Sequence, residues 1–129
     1  MKKYILFVFC MMFSSCVIVP AATTAQKESF NNSVPTCSDN CDEMWAAAQA
    51  WMSRNLTMKI QIATSSMLET YNTTGDSCLS EEFAATVNKE PIGNSSYKIV
   101  INVRSTCFND GNSIKKQIDF NEYVGKFSK

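Results

Sequence analysis

One stretch of the chain decides the fold: Asp42-Glu43-Met44-Trp45-Ala46-Ala47-Ala48-Gln49-Ala50-Trp51-Met52-Ser53-Arg54-Asn55. It has the clearest helical periodicity in the sequence and carries both tryptophans. Its apolar side chains fall on one stripe of a helical wheel, which predicts an amphipathic helix with one buried face. We expect Asn40 to cap the helix and Glu43 to complete a capping box. The stripe contains Met44, Trp45, Ala48, Trp51 and Met52.

Most of the chain after the helix is typical of strands. Residues 58–62, 67–71, 83–87 and 97–103 carry strand-forming residues, mostly with apolar and polar side chains in alternation, as half-buried strands do. We therefore predict an α+β fold, with one N-terminal amphipathic helix packed on an antiparallel sheet of about five strands in a two-layer sandwich.

Two turns predict the strand register. A hairpin centred on Gly93 places the apolar side chains of both strands on one face, and a two-residue turn at Asp110-Gly111 extends this face into a last hairpin. The first hairpin pairs Val87 with Ile99, Ala85 with Ile101 and Phe83 with Val103, and the second pairs Val103 with Ile118 and Ile101 with Phe120.

The first residues of the chain have the pattern of an export signal. Lys2 and Lys3 precede an apolar segment, residues 5–13, that is too short to span a bilayer. We predict a signal peptide over residues 1–21, a flexible linker over 22–36, which is rich in Thr, Ala, Asn and Ser, and a single α+β domain over 37–129.

The leader offers two processing sites. Phe13-Ser14-Ser15-Cys16 resembles the lipobox of bacterial exported lipoproteins, although Phe13 stands where that family usually has an aliphatic residue. The resemblance implies lipidation at Cys16 and a membrane-anchored protein of the cell envelope. Cleavage after Ala21 or Ala25 would instead release a soluble periplasmic or secreted protein.

Four cysteines lie outside the leader, and an even number in an exported domain predicts disulfides. The hairpin centred on Gly93 brings Cys78 opposite position 108, so we favour a bond between Cys78 and Cys107. Cys37 and Cys41 then form the second bond. A zinc site is the alternative, because Cys37-x-x-x-Cys41 has a plausible ligand spacing.

Composition excludes several functions. The chain has 129 residues and no histidine, so the commonest general base and metal ligand are missing. Without Lys2 and Lys3 it has 10 Lys+Arg (12 − 2) against 12 Asp+Glu, which argues against nucleic-acid binding. We expect no enzyme activity, with a hydrolase that uses carboxylates alone as the remaining alternative, and no cofactor and no metal. Glu81 and Glu82 are adjacent, and strand neighbours point to opposite faces, so they cannot act on one substrate.

Four segments match the N-glycosylation sequon. They would matter only in a eukaryotic secretory pathway, and with this leader we interpret them as incidental. They begin at Asn31, Asn55, Asn72 and Asn94.

A binding role remains. We predict a small bacterial cell-envelope protein that acts by binding an unknown protein partner, with membrane contact only through a lipid at Cys16. One alternative is a periplasmic immunity protein or inhibitor of a toxin or wall hydrolase. A small apolar-ligand carrier is another, in which methionines would line a pocket between helix and sheet. Trp45 lies near the edge of the helix stripe and is the candidate binding residue.

Overall fold

A computed structural model describes residues 21–75, 78–107 and 111–128 of the chain. This part contains three α-helices, five β-strands and a short 3-10 helix at Cys78–Ser80. The helices are α1 (Thr24–Ser33), α2 (Cys41–Asn55) and α3 (Gly111–Gly125), and the strands are β1 (Thr36–Cys37), β2 (Ile60–Ala63), β3 (Met67–Thr70), β4 (Phe83–Gly93) and β5 (Ser96–Ser105).

The strands form one antiparallel sheet in the order β1-β5-β4-β3-β2. The predicted α+β class is confirmed. Helices α2 and α3 bury their apolar side chains against one face of the sheet, while the opposite face is largely polar. There Lys98 Nζ lies 3.1 Å from Glu90 Oε2 on the neighbouring strand. The core includes Leu68, Val87, Ile99, Ile101 and Val103 of the sheet.

Helix α2 packs as its periodicity predicts, since Met44, Ala48, Trp51 and Met52 are all buried. The predicted capping box is wrong. Asn40 occupies the N-cap position without a capping side-chain bond, and its Nδ2 donates to the Phe127 backbone oxygen after α3. A hydrogen bond to a distant part of the chain thus takes the place of the predicted bond at the start of the helix.

The β4–β5 hairpin keeps the predicted face and corrects the predicted register. Val87 pairs with Ile101 and Ala85 with Val103, a shift of two residues. The turn is centred on Asn94 and Ser95 rather than on Gly93, and an irregularity between Pro91 and Gly93 sets the final register of the two strands. Asn94 and Ser95 have φ values of 51° and 59°, as a type I′ turn requires. A shift of two preserves the face, since side chains alternate with a period of two.

The predicted last hairpin is wrong, because residues 111–125 form helix α3. Phe120 and Val124, four residues apart, are both fully buried, which is a helical spacing. Ile118 and Phe120 therefore do not pair with β5. The helix nevertheless reaches that strand, since Gln117 Oε1 accepts a hydrogen bond from Val103 N at 2.9 Å.

Helix α1 lies within residues 22–36, the segment predicted to be a flexible linker. The helix begins with a capping box in which Thr23 and Gln26 exchange hydrogen bonds of 2.9 and 3.2 Å. Phe30 packs against the core, and Asn121 Nδ2 of α3 donates to the Phe30 oxygen at 3.2 Å. The helix predicted over residues 42–55, which we expected to be the N-terminal one, is therefore the second helix of the described chain.

Both predicted disulfides are present: Cys37–Cys41 at the start of α2, and Cys78–Cys107, which joins the chain before β4 to the chain after β5. They indicate an oxidising environment such as the extracellular space. None of the described helices is long and apolar enough to cross a lipid bilayer. The leader with Cys16 lies outside the described residues.

Candidate functional site

Among the described residues, three large apolar side chains are strongly exposed: Tyr71, Leu79 and Ile92. Tyr71 lines one of the surface cavities of the described chain. It lies at the end of β3, and 56 % of its surface is exposed. An exposed aromatic residue beside a cavity is a typical anchor for protein contacts, because its ring offers a large apolar area and its hydroxyl a hydrogen bond.

The cavity at Tyr71 is an open groove of about 570 Å³. It lies at the end of the β2–β3 ladder, where the two chain segments separate. We call it the edge groove. One wall is the segment entering β2 and the other is the loop leaving β3; the lining residues are Thr57, Met58, Lys59, Gln61, Tyr71, Asn72, Thr73 and Thr74.

Strand β2 is an edge strand, and its hydrogen-bond pattern identifies which backbone groups face outward. Tyr71 N donates to Lys59 O at 2.9 Å, so these two residues form a hydrogen-bonded pair. The next pair, Ile60 with Thr70, is then of the alternate kind, in which N–H and C=O point away from the partner strand. The backbone of Ile60 therefore faces outward, between two residues of the edge groove.

The same reasoning applies at the far end of β2. Thr64 N donates to Met67 O at 2.9 Å, and the adjacent pair is Ala63 with Leu68. The N–H and C=O of Ala63 therefore also point outward. Within the described residues no strand lies beyond β2, so this edge can accept an added strand.

The loop that forms one wall of the edge groove is held by Glu82. Its carboxylate accepts hydrogen bonds from Thr74 N at 2.7 Å and Gly75 N at 3.1 Å, and from the Thr74 hydroxyl at 3.2 Å. The backbone donors of Thr74 and Gly75 are the main reason that the pKa of Glu82 is lowered from its ordinary value of 4.5.

The loop should loosen in acid. A folded-state pKa below 4.5 means that the ionised carboxylate stabilises the fold above that pH, and that this contribution is lost as the pH falls through the lower pKa. We expect the NMR amide shifts of Thr74 and Gly75 to titrate with an apparent pKa below 4.5, and Glu82→Gln to abolish the titration. The control Glu69→Gln should leave it intact. An unchanged titration in Glu82→Gln would show that another group holds the loop.

Trp45, the predicted binding residue, is only 8 % exposed. Its indole Nε1 donates to Thr64 O at 2.9 Å, and Lys89 Nζ lies 4.9 Å from the ring centroid. The tryptophan thus packs in the core beneath a lysine and offers little surface to a ligand. Lys89, together with Tyr97, lines a separate cavity of about 350 Å³ at the start of α2.

The two adjacent glutamates have separate partners. Glu81 accepts hydrogen bonds from Ser105 Oγ at 2.6 Å and Asn112 Nδ2 at 2.8 Å, whereas Glu82 holds the loop. In the described part of the chain, no three histidine, cysteine, aspartate or glutamate side chains lie close enough to bind a metal ion. The four cysteines of the zinc alternative are joined in disulfides.

The sequence reasoning did not identify the edge groove. One signal was available, because alternation along β3 places Tyr71 on the same face as Met67 and Glu69, away from the buried Leu68. The register irregularity between Ile60 and Ile62, by contrast, has no clear signature in the sequence. Comparison with protein-family models, with curated proteins and with solved structures finds no match to this chain.

Proposed function

We propose that the protein is an exported binding protein that acts through contact with another protein rather than by catalysis. The occupant of its site is an extended segment of the partner, which adds to the sheet beside β2. The observation that carries this proposal is the outward-facing backbone of Ile60 and Ala63 next to the edge groove.

Each part of the site supplies a different contribution. The outward N–H and C=O groups of β2 would pair with the backbone of the partner, which gives affinity with little dependence on sequence. Selectivity would come from the edge groove, where Tyr71 offers an aromatic surface and Lys59 a positive charge. The partner segment should therefore carry an apolar side chain and an acidic one near the position that meets Ile60.

The leader allows two settings for this function. In a bacterial envelope, lipidation at Cys16 would hold the domain at the membrane, and an immunity protein or inhibitor of a wall hydrolase would work in that position. Cleavage after Ala21 or Ala25 would release a soluble protein. The ligand-carrier alternative has less support, because Met44 and Met52 are fully buried in the core instead of lining a pocket.

Proline at position 63 tests the proposal. The Ala63 N–H faces outward, so Ala63→Pro should leave the β2–β3 ladder intact while its ring and missing donor block an added strand. The matched control is Ala63→Ser, which keeps the N–H. We expect a protein from the extracellular or envelope fraction of the source to be retained by immobilised wild type and Ala63→Ser, and at least tenfold less by Ala63→Pro.

Circular dichroism melting should show that Ala63→Pro is folded before its binding is compared. A partner retained equally by wild type and Ala63→Pro would contradict docking at the β2 edge. A partner lost from Ala63→Pro but unaffected by Tyr71→Ala would place the binding on the backbone of β2 without the edge groove.

A further inference from the structure

We propose that the four sequon asparagines are sites of N-glycosylation. The structure supplies the observation that was missing from the sequence: each of them is exposed. A branched oligosaccharide cannot be buried in a protein core, so accessibility of the asparagine is the structural condition for this modification. These residues are Asn31, Asn55, Asn72 and Asn94.

The asparagines outside the sequons are placed differently. The described residues include ten asparagines, of which six are exposed, and the four sequon positions all belong to these six. Two less exposed asparagines that make hydrogen bonds between distant parts of the chain lie in no sequon: Asn121 is buried and donates to the Phe30 oxygen, and Asn40 donates to the Phe127 oxygen. Among the described asparagines, sequons therefore occur only at exposed positions.

The local geometry accommodates a glycan at each position. Asn94 lies in the β4–β5 turn, and Asn31 lies on α1, none of whose residues is buried. Asn55 Nδ2 donates to Trp51 O at 3.0 Å at the end of α2. A glycosylated amide keeps one N–H, so this hydrogen bond can persist.

Asn72 belongs to the edge groove, so the direction of its side chain matters. Its Oδ1 accepts a hydrogen bond from Arg104 Nη2 at 3.3 Å. Arg104 lies on β5, three strand positions away from β2 in the sheet. The Asn72 side chain is thus directed towards Arg104 on the polar face of the sheet. A glycan there would lie on that face beside the edge groove and leave the outer backbone edge of β2 accessible.

The reaction is a glycosyl transfer from a lipid pyrophosphate-linked oligosaccharide. The asparagine amide nitrogen attacks C1 of the first sugar, a C–N bond forms, and the C1–O bond to the pyrophosphate breaks. The amide proton passes to a base of the transferase, and the lipid pyrophosphate leaves. Attachment at this sequon in the lumen of a eukaryotic secretory pathway agrees with the two disulfides. Of the two settings that the leader allows, this proposal fits release of a soluble protein and not lipidation at Cys16.

The test uses the protein isolated from its natural source. Peptide:N-glycosidase in isotope-labelled water converts each glycosylated asparagine to labelled aspartate, which peptide mass spectrometry locates. We expect label at Asn31, Asn55, Asn72 and Asn94, and none at the exposed control Asn102, which lies in no sequon. Recovery of all four sequon peptides with unmodified asparagine would overturn the proposal.

Sequon variants secreted from eukaryotic cells supply a second measurement. Ser96→Ala removes the sequon of Asn94 without changing the asparagine, and Ser96→Thr retains it. We expect the intact mass to fall by one glycan in Ser96→Ala, whereas Ser96→Thr should remain glycosylated at Asn94. A mass of Ser96→Ala that differs from wild type only by the substituted side chain would contradict modification at Asn94. These readouts do not involve the β2 edge, so they stand or fall independently of partner binding.

Discussion

Phe120→Ala should lower the free energy of unfolding by about 3–5 kcal/mol, the usual cost of truncating a fully buried phenylalanine. Phe120 has no exposed surface. Its ring meets that of Trp51 edge to face, with centroids 5.3 Å apart and planes at 84°. This contact joins α3 to α2, so the variant loses apolar burial and the aromatic pair together. A domain of this size typically has a stability of about 5–15 kcal/mol, and the loss is a large part of it.

Urea unfolding followed by circular dichroism measures this loss. The matched control is Glu122→Ala, an exposed position on the same helix, which should change the free energy by less than about 0.5 kcal/mol. Tryptophan fluorescence supplies a second readout, because Trp51 would lose its neighbouring ring. A cost for Phe120→Ala no larger than that of Glu122→Ala would contradict the packing of α3 against α2.

Much of this core could be predicted because it depends on local periodicity. The stripe of α2 and the alternation of β4 and β5 are properties of neighbouring residues, and both predicted the buried side chains. The register error of two residues did no harm to the face, since side chains on a strand repeat every two residues. The disulfide between Cys78 and Cys107 could also be predicted from an incorrect register. A disulfide requires only that the two loops lie close together, and the two cysteines need not be strand partners.

The helices α1 and α3 could not be predicted in the same way. The turn residues Asp110-Gly111 and the alternation of Ile118 with Phe120 favour a hairpin. The spacing of Phe120 and Val124 favours a helix, but it decides between the two only when both side chains are known to be buried. Helix α1 has no buried residue, and its docking depends on Asn121 and Phe30, 91 residues apart in sequence. Contacts at such separation leave no periodic pattern.

The candidate site, like the fold, could be predicted only where it depends on local sequence patterns. Trp45 was selected from its place on a helical wheel, which cannot show that Lys89 from β4 covers its ring. The edge groove forms where two segments diverge, and its wall depends on Glu82 reaching back to Thr74 and Gly75. Sequence patterns identify which side of an element is buried, whereas grooves are produced by the paths of loops between elements.

Loss of the Cys78–Cys107 disulfide should cost about 3–4 kcal/mol of stability, and loss of Cys37–Cys41 about 2 kcal/mol, by the loop-entropy relation. The bonds close loops with sequence separations of 29 and 4 residues, so the first restricts the unfolded chain far more than the second. The first also clamps the base of the β4–β5 hairpin, which forms the centre of the sheet.

Direct comparison of cysteine-to-alanine variants would mix two effects, because Cys37, Cys41 and Cys107 are also buried in the fold. Each bond is therefore measured within one variant, by unfolding it with and without reductant. The Cys37→Ala/Cys41→Ala variant reports Cys78–Cys107, and the Cys78→Ala/Cys107→Ala variant reports Cys37–Cys41. We expect reduction to destabilise the first variant more than the second. The opposite order would show that strain or residual structure in the unfolded chain, instead of loop length, controls the stability that these bonds supply.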